Sequence, residues 1–214
     1  TYAAWRPYAK HRQYINEGIN GSPLIAFAGS LLQLEAALVK PGTPMTDVKK
    51  LAEAADKQRT AFLAEENKVS DQQVVAAITK MFYEDIEKNQ QPIGFYGTLK
   101  NAYGPLDDDA TYKKYAADLF SKTMIFDDNK WKAFIANPDG VALQSDPAFA
   151  HASAFFTNYI SKYNPYFQQF NTSNAEFGRL YIKGIMEMDP VKAKMMYPDA
   201  TSTMRVSYGA VKSY

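Results

Sequence analysis

Few side chains in this sequence are spaced for chemistry. Histidine occurs twice, at His11 and His151. Neither has a second histidine or a carboxylate four residues on, the spacing that sets a ligand pair on one helix face. Both read as partly buried or surface side chains. Glu84, Asp85 and Glu87 form a carboxylate cluster. Glu84 and Glu87 share a helix face, as paired acid–base carboxylates would. Their neighbours are polar, so nothing there desolvates a carboxyl group. Asp107, Asp108 and Asp109 lack the alternating oxygens and closing Glu of a calcium loop, and read as a solvated helix start. Lys49-Lys50 and Lys113-Lys114 have acids nearby and read as solvated faces. Asn171-Thr172-Ser173 fits a glycosylation acceptor, a pattern of low specificity. There is no Gly-x-Ser-x-Gly elbow, no Gly-rich phosphate loop and no Ser–His–Asp set at a favourable spacing. The residues by themselves therefore nominate no catalytic, cofactor or metal position.

Composition narrows the classes further. With no cysteine in 214 residues, a disulfide scaffold, a Cys-ligated zinc, an iron–sulfur cluster and a cysteine nucleophile are excluded. Lys plus Arg is 24 and Asp plus Glu is 23, a net charge of +1 that gives no reason to expect nucleic acid or a membrane surface as partner. The apolar runs are too interrupted for membrane insertion as a transmembrane span. Phe (13), Tyr (15) and Trp (2) are numerous, and at helical spacing they predict core, with tyrosine hydroxyls reaching the rim.

The elements that would position these groups are helices. Trp5, Tyr8, Arg12, Ile15 and Ile19 share a first face, and Gly18 and Gly21 interrupt it. Ser22-Pro23 is a start signal, with Ser as N-cap and Pro at the first helical position. Leu24, Phe27, Ala28, Leu31, Leu34 and Leu38 follow, and Pro41-Gly42-Thr43-Pro44 stops them. Val48, Leu51, Ala52, Ala55 and Phe62 mark the next helix. Ser70-Asp71-Gln72-Gln73 reads as a capping box before a stripe of Val74, Ile78, Met81, Phe82 and Ile86. A short helix is expected before Gly104-Pro105. Asp107 to Asp109 favour the start of a helix carrying Tyr112, Tyr115, Leu119 and Phe120, because a helix N-terminus attracts negative charge. A short helix follows over Asp128 to Ala136. Ser145-Asp146-Pro147 starts another, with Phe149, Ala152, Phe156, Tyr159, Ile160 and Tyr163. Ser173-Asn174-Ala175-Glu176 reads as a second capping box, ahead of Phe177, Leu180, Tyr181, Ile185 and Met188.

After Pro198 the period changes. Met204, Val206 and Tyr208 alternate with Arg205 and Ser207, which predicts a strand. The fold class expected is all-α: an irregular domain of about seven to nine helices with one C-terminal strand. That strand has no partner in an otherwise helical chain. The chain opens on Thr1-Tyr2-Ala3-Ala4-Trp5 and stops at Val211-Lys212-Ser213-Tyr214, inside pattern that still looks ordered. A segment of a longer protein is expected.

The stretch Met196-Tyr197-Pro198-Asp199-Ala200-Thr201-Ser202-Thr203-Met204-Arg205-Val206-Ser207-Tyr208-Gly209 resembles the YPDA-x-x-T-x-R-x-x-YG segment of the bacterial dipeptidyl-peptidase 7 and dipeptidyl-peptidase 11 family, serine peptidase family 46. Arg179-Leu180-Tyr181 with Met186-Glu187-Met188, and Ser145-Asp146-Pro147-Ala148-Phe149, add weaker likeness. The resemblance implies a periplasmic or outer-membrane-associated exopeptidase, homodimeric at full length, that removes N-terminal dipeptides from peptide substrates. It also implies a chymotrypsin-like double β-barrel carrying a His–Asp–Ser triad, with a helical insertion capping its cleft. None of the triad positions falls in this chain, so no catalytic residue carries over. Residues 1–197 would then be the helical cap, partnered by the catalytic domain of the same chain. Residues 198–214 would be the strand returning to the missing barrel. The overall wording leans to the dipeptidyl-peptidase 11 type, which prefers Asp or Glu at the second position. The alternative is a free-standing helical peptide-binding or adaptor module without enzymatic activity, its aromatic stripes forming a partner groove.

Overall fold

The structure, a computed structural model, describes residues 11–195. Among them every regular element is helical and none is a strand. Trp5, Tyr8, the YPDA stretch and the expected strand over 198–214 lie outside the described residues, as does the boundary at residue 197. The described residues fall into two units, a body over 11–170 and a second unit over 171–195.

The body begins with α1 (His11–Gln13), which continues as a π-helical turn, Tyr14–Ile19. Its inward residues are Tyr14 and Gly18, four apart, while Arg12 is exposed and Ile15 and Ile19 are half-buried. The segment is thus rotated from the apolar face its sequence suggests. Two contacts rotate it. The Tyr14 hydroxyl donates to the Phe155 carbonyl at 3.0 Å and accepts from Asn158 Nδ2 at 2.7 Å. Gly18 lies against the rings of Phe155 and Phe82, where a side chain would not fit.

Ser22 caps α2 (Pro23–Ser30), as expected. The stripe runs on through a break at Leu31 into α3 (Leu32–Val39), with Leu24, Phe27, Ala28, Leu31 and Leu34 buried and Leu38 half-buried. Gly42, at φ 81°, makes the turn that follows. α4 (Met45–Glu65) buries Val48, Ala52, Ala55 and also Arg59. α5 (Lys68–Asp85) is capped by Asn67, whose Oδ1 accepts from Ser70 N–H at 3.1 Å. Ser70 therefore sits inside the helix and is not the cap. α5 is also rotated: Asp71, Val75, Thr79 and Phe82 face inward, while Val74 and Met81 are exposed. Buried Gln91 ends it by donating to the Tyr83 carbonyl at 2.8 Å and to the Ile86 carbonyl.

α6 (Ile93–Tyr103) stops at Gly104, φ 126°, with Thr111 Oγ1 only 3.0 Å from where a Cβ would stand. α7 (Asp109–Lys122) is capped by Asp108 and buries Tyr112, Tyr115, Leu119 and Phe120, as expected. α8 (Asp128–Ala136) has the expected bounds and is capped by Asp127. A further helix, α9 (Gly140–Gln144), is not anticipated by the sequence reading; it starts on Asp139, which accepts from Val141 and Ala142 N–H. α10 (Pro147–Lys162) starts on Asp146 and packs along α2, while α5 packs along α7. α11 (Asn164–Met188) begins in the body and continues into the second unit without a break at Ser173, so the expected capping box there does not form. α12 (Pro190–Met195) closes the described chain.

Two buried polar groups fasten helices together. Asp146 accepts from Ala148 N–H at 2.9 Å on α10 and from Met124 N–H at 2.7 Å, tying the α7–α8 connection to α10. Arg59 donates through Nε to the Ile125 carbonyl at 2.6 Å, pairs with Asp128 at 2.7 Å and lies over the Trp131 ring. Among the described residues no single helix is long and apolar enough to cross a membrane.

Gly18 yields a prediction. A Cβ there would stand 2.8 Å from Phe155 Cδ1 and 2.9 Å from Phe82 Cε2, and both rings are held by neighbours. Gly18→Ala is expected to destabilise the body by about 1–3 kcal/mol, the usual cost of overpacking. Denaturant unfolding measures it, with Ala150→Gly on the exposed side of α10 as a helix-propensity control.

Candidate functional site

The structure disperses the titratable residues that the sequence offers. His151 is in the core, 3% exposed. Its ring stacks on Phe155 with centroids 4.6 Å apart, meets Phe95 edge-on, and its Nδ1 lies 2.7 Å from the Tyr115 hydroxyl. Burial lowers its pKa to about 3, so it is neutral at physiological pH. It acts as a packing and hydrogen-bonding group. His11 sits at the rim of the body, with Nδ1 3.1 Å from the Tyr159 hydroxyl and its ring against Phe167. Burial, then the Arg12 charge, lowers its pKa. Glu84, Asp85 and Glu87 are all exposed, and Glu84 lies 3.6 Å from Lys80. Asp108 caps α7, and Asp109 pairs with Lys80. Asn171 and Thr172 lie on the exposed surface of α11.

A carboxyl pair is present, elsewhere than the sequence suggests. Glu66, the residue after α4, and Asp71, in the first turn of α5, each keep one buried oxygen, Oε1 and Oδ1, without another partner. The other Asp71 oxygen accepts from Leu24 N–H at 2.9 Å and from the Ser22 hydroxyl at 3.0 Å. Ser22 Oγ in turn accepts from Ile25 N–H. Those donors favour an ionised Asp71, and no such donor serves Glu66. A proton on Glu66 therefore relieves the repulsion between the two carboxyl groups. Burial first, then the Asp71 charge and hydrogen bond, raise the Glu66 pKa to about 7. Burial is also the largest influence on Asp71 and shifts it upward, against its hydrogen bonds. The pair joins the end of α4, the first turn of α5 and the start of α2. Sequence reasoning missed it because Asp71 reads as a middle residue of a capping box. The pointer was Ser22-Pro23: a buried helix start needs an acceptor for its free N–H groups.

A groove of about 700 Å³ lies between α5 and α7, lined by Gln72, Gln73, Lys80, Glu84, Asp109 and Tyr112 among others. It offers side-chain amides and a charge triad of Lys80, Asp109 and Glu84. The Tyr112 hydroxyl is engaged by the Leu106 carbonyl. Such a lining can hydrogen-bond a peptide or a partner surface. It contains neither histidine nor hydroxyl nucleophile, and among the described residues no group of three or more His, Asp or Glu side chains is placed to hold a metal ion.

Comparison with known proteins gives the context that the geometry lacks. The family model described as Peptidase S46 matches residues 1–214, the whole chain. The chain is 27% identical over its full length to the Asp/Glu-specific dipeptidyl-peptidase of Flavobacterium psychrophilum, of which it covers 28%. It is 28% identical over 76% of its length to the Asp/Glu-specific dipeptidyl-peptidase of Porphyromonas gingivalis, covering 22% of that protein. It is 33% identical over 48% of its length to dipeptidyl-peptidase 7 of Capnocytophaga gingivalis, covering 14%. The chain thus spans less than a third of the length of these curated relatives.

The acid pair makes stability depend on pH in a defined direction. The Glu66 pKa in the fold, about 7, exceeds the ordinary 4.5, so the folded state binds this proton more tightly than the unfolded state. The contribution is complete below the unfolded value and is lost as pH rises through about 7. The upward shift of Asp71 acts in the same sense. Urea midpoints are expected to fall from pH 5 to pH 8, and Glu66→Gln, which keeps a donor but cannot ionise, is expected to flatten that fall.

Proposed function

This chain belongs to the peptidase S46 family, and on that premise we propose that it is the helical cap of a serine-type dipeptidyl aminopeptidase. The observation that carries the reading is the match of the family across the whole chain together with the chain's small share of its relatives' length. A part that is family throughout, helical throughout its described residues and well short of the whole suits a cap better than a catalytic barrel. The catalytic groups then belong to the remainder of the longer polypeptide.

A rigid helical body over a peptidase cleft serves catalysis by position. Closing one end of the cleft leaves room for a chain terminus and none for a continuing chain, which restricts cleavage to N-terminal dipeptides. Ordering the substrate against a fixed wall lowers the entropic part of the barrier, and movement of the cap would gate entry. The body has the stiffness for this, with an aromatic core and buried polar fasteners at Asp146, Arg59 and Asp71. The names of two of the three relatives support a preference for Asp or Glu at the second position. A periplasmic or outer-membrane-associated location and a homodimeric state are part of the same proposal and rest on the family resemblance.

The test compares the isolated chain with the longer protein that carries it. Purified residues 1–214 are expected to give no hydrolysis of fluorogenic dipeptidyl substrates, Leu-Asp and hydrophobic types included. The longer protein is expected to release dipeptides from peptides with a free amine and to spare the same peptides once acetylated. Activity that copurifies with the isolated chain, or internal cleavage by the longer protein, would overturn the reading.

A further inference from the structure

The second unit carries an apolar face that no described residue covers. In α11, Phe177, Leu180, Tyr181 and Met188 are 45%, 57%, 69% and 87% exposed, and Ile185 is half-buried. Their spacing of three, four and seven sets them on one side of the helix. Gly184 lies in the same stripe, and a Cβ there would meet nothing within 4 Å. One flank of the helix holds Glu176, Arg179, Lys183 and Glu187, with Lys183 and Glu187 paired at 3.8 Å, and exposed Ile182 and Met186 stand on the far side. A helix with a continuous apolar stripe beside a charged flank is suited to lie against a surface, and monomeric proteins seldom leave such a stripe in water.

Three kinds of surface could cover it, and the residues favour one. A lipid surface suits a helix whose polar side is basic, whereas this side carries two acids and two bases. A charged partner is disfavoured, because the stripe contains no ionisable group except the Tyr181 phenol. Since the chain spans 28% of the length of a relative that matches it from end to end, most of such a protein lies outside these residues. We propose that the stripe of Phe177, Leu180, Tyr181, Ile185 and Met188 is the docking face by which this segment seats on an apolar surface of the remainder of its own polypeptide. Gly184 supplies a notch in that face, where a side chain of the partner surface can approach the helix backbone. The proposal rests on the chain being part of a longer protein, as the functional reading also holds, and it adds which helix makes the joint.

Hydroxyl-radical footprinting reads the face directly, because Phe, Tyr and Met are all reactive. In the isolated chain at low concentration, Phe177, Tyr181 and Met188 are expected to label readily. In the longer protein their labelling is expected to fall severalfold, while buried Phe155 stays protected in both. Equal labelling in the two proteins would overturn the proposal. Protection already complete in the dilute isolated chain would show that residues 1–214 cover the stripe themselves. Protection that grows with the concentration of the isolated chain would show that a second copy does. Either result overturns it. Tyr181→Lys adds a second reading: the melting temperature of the isolated chain is expected to hold and that of the longer protein to fall, with Lys183→Gln as the control on the charged flank. The peptidase assay separates the two readings. A longer protein that cleaves dipeptides with the stripe still labelled sinks only the docking face. Protection without activity sinks only the peptidase.

Discussion

The ring of Phe155 is the contact around which the helical body is arranged. It meets Phe82 of α5 and Phe95 of α6 edge-on at 5.0 and 5.1 Å, and it stacks on His151 one turn back in α10. Gly18 of the first segment lies close against it, and its own carbonyl receives the Tyr14 hydroxyl. The first segment, α5 and α6 therefore converge on one side chain of α10. Edge-to-face and offset aromatic contacts add to the burial of apolar area, so these contacts fix geometry as well as supplying cohesion. They also account for details that look unrelated. The first segment turns Tyr14 and Gly18 inward because only that orientation satisfies the ring. His151 stays neutral because the same ring helps to exclude water from it.

Around this centre the polar groups serve the architecture. Ser22 and Asp71 hold the start of α2, Asp146 the start of α10, and Gln91 the end of α5, each meeting backbone groups that would otherwise be buried and unpaired. Arg59 spans from α4 to α8 and leans on Trp131, whose indole N–H donates to Asp56 at 2.8 Å. Among the described residues, α11 carries a stripe of exposed apolar side chains.

Much of this was legible in the sequence, for physical reasons that differ by element. Ser22-Pro23, Asp108 and Asp146 mark helix starts because the caps are local: side chain and N–H group lie within three residues. The stripes of α2 and α7 were legible because nearly all their inward residues are aliphatic or aromatic. α5 was misread by one position because Asp71 and Thr79 face inward, and apolar periodicity cannot anticipate a polar residue paired across 47 positions of sequence. The Ser173 capping box failed because a helix already under way needs no start. Arg59 was invisible for a related reason: its partners, Ile125 and Asp128, lie more than sixty residues away. The candidate site was less legible than the fold. The acid pair depends on the meeting of three helix ends, and the identity of the family came from the YPDA stretch rather than from any reactive group.

The central claim is that residues 11–170 form one self-sufficient helical body whose cohesion passes through the Phe155 contacts. The most direct measurement is a thermal melt of the isolated chain, followed by far-ultraviolet circular dichroism and tryptophan fluorescence, beside the same melt of Phe155→Ala. The account predicts a helix-dominated spectrum and one cooperative transition in which the fluorescence and most of the helical signal are lost together. It predicts a loss of about 3–5 kcal/mol on truncating the ring, the range for removing a buried phenylalanine. A coil or sheet spectrum, a gradual melt, or a Phe155→Ala chain that melts like the parent would contradict it.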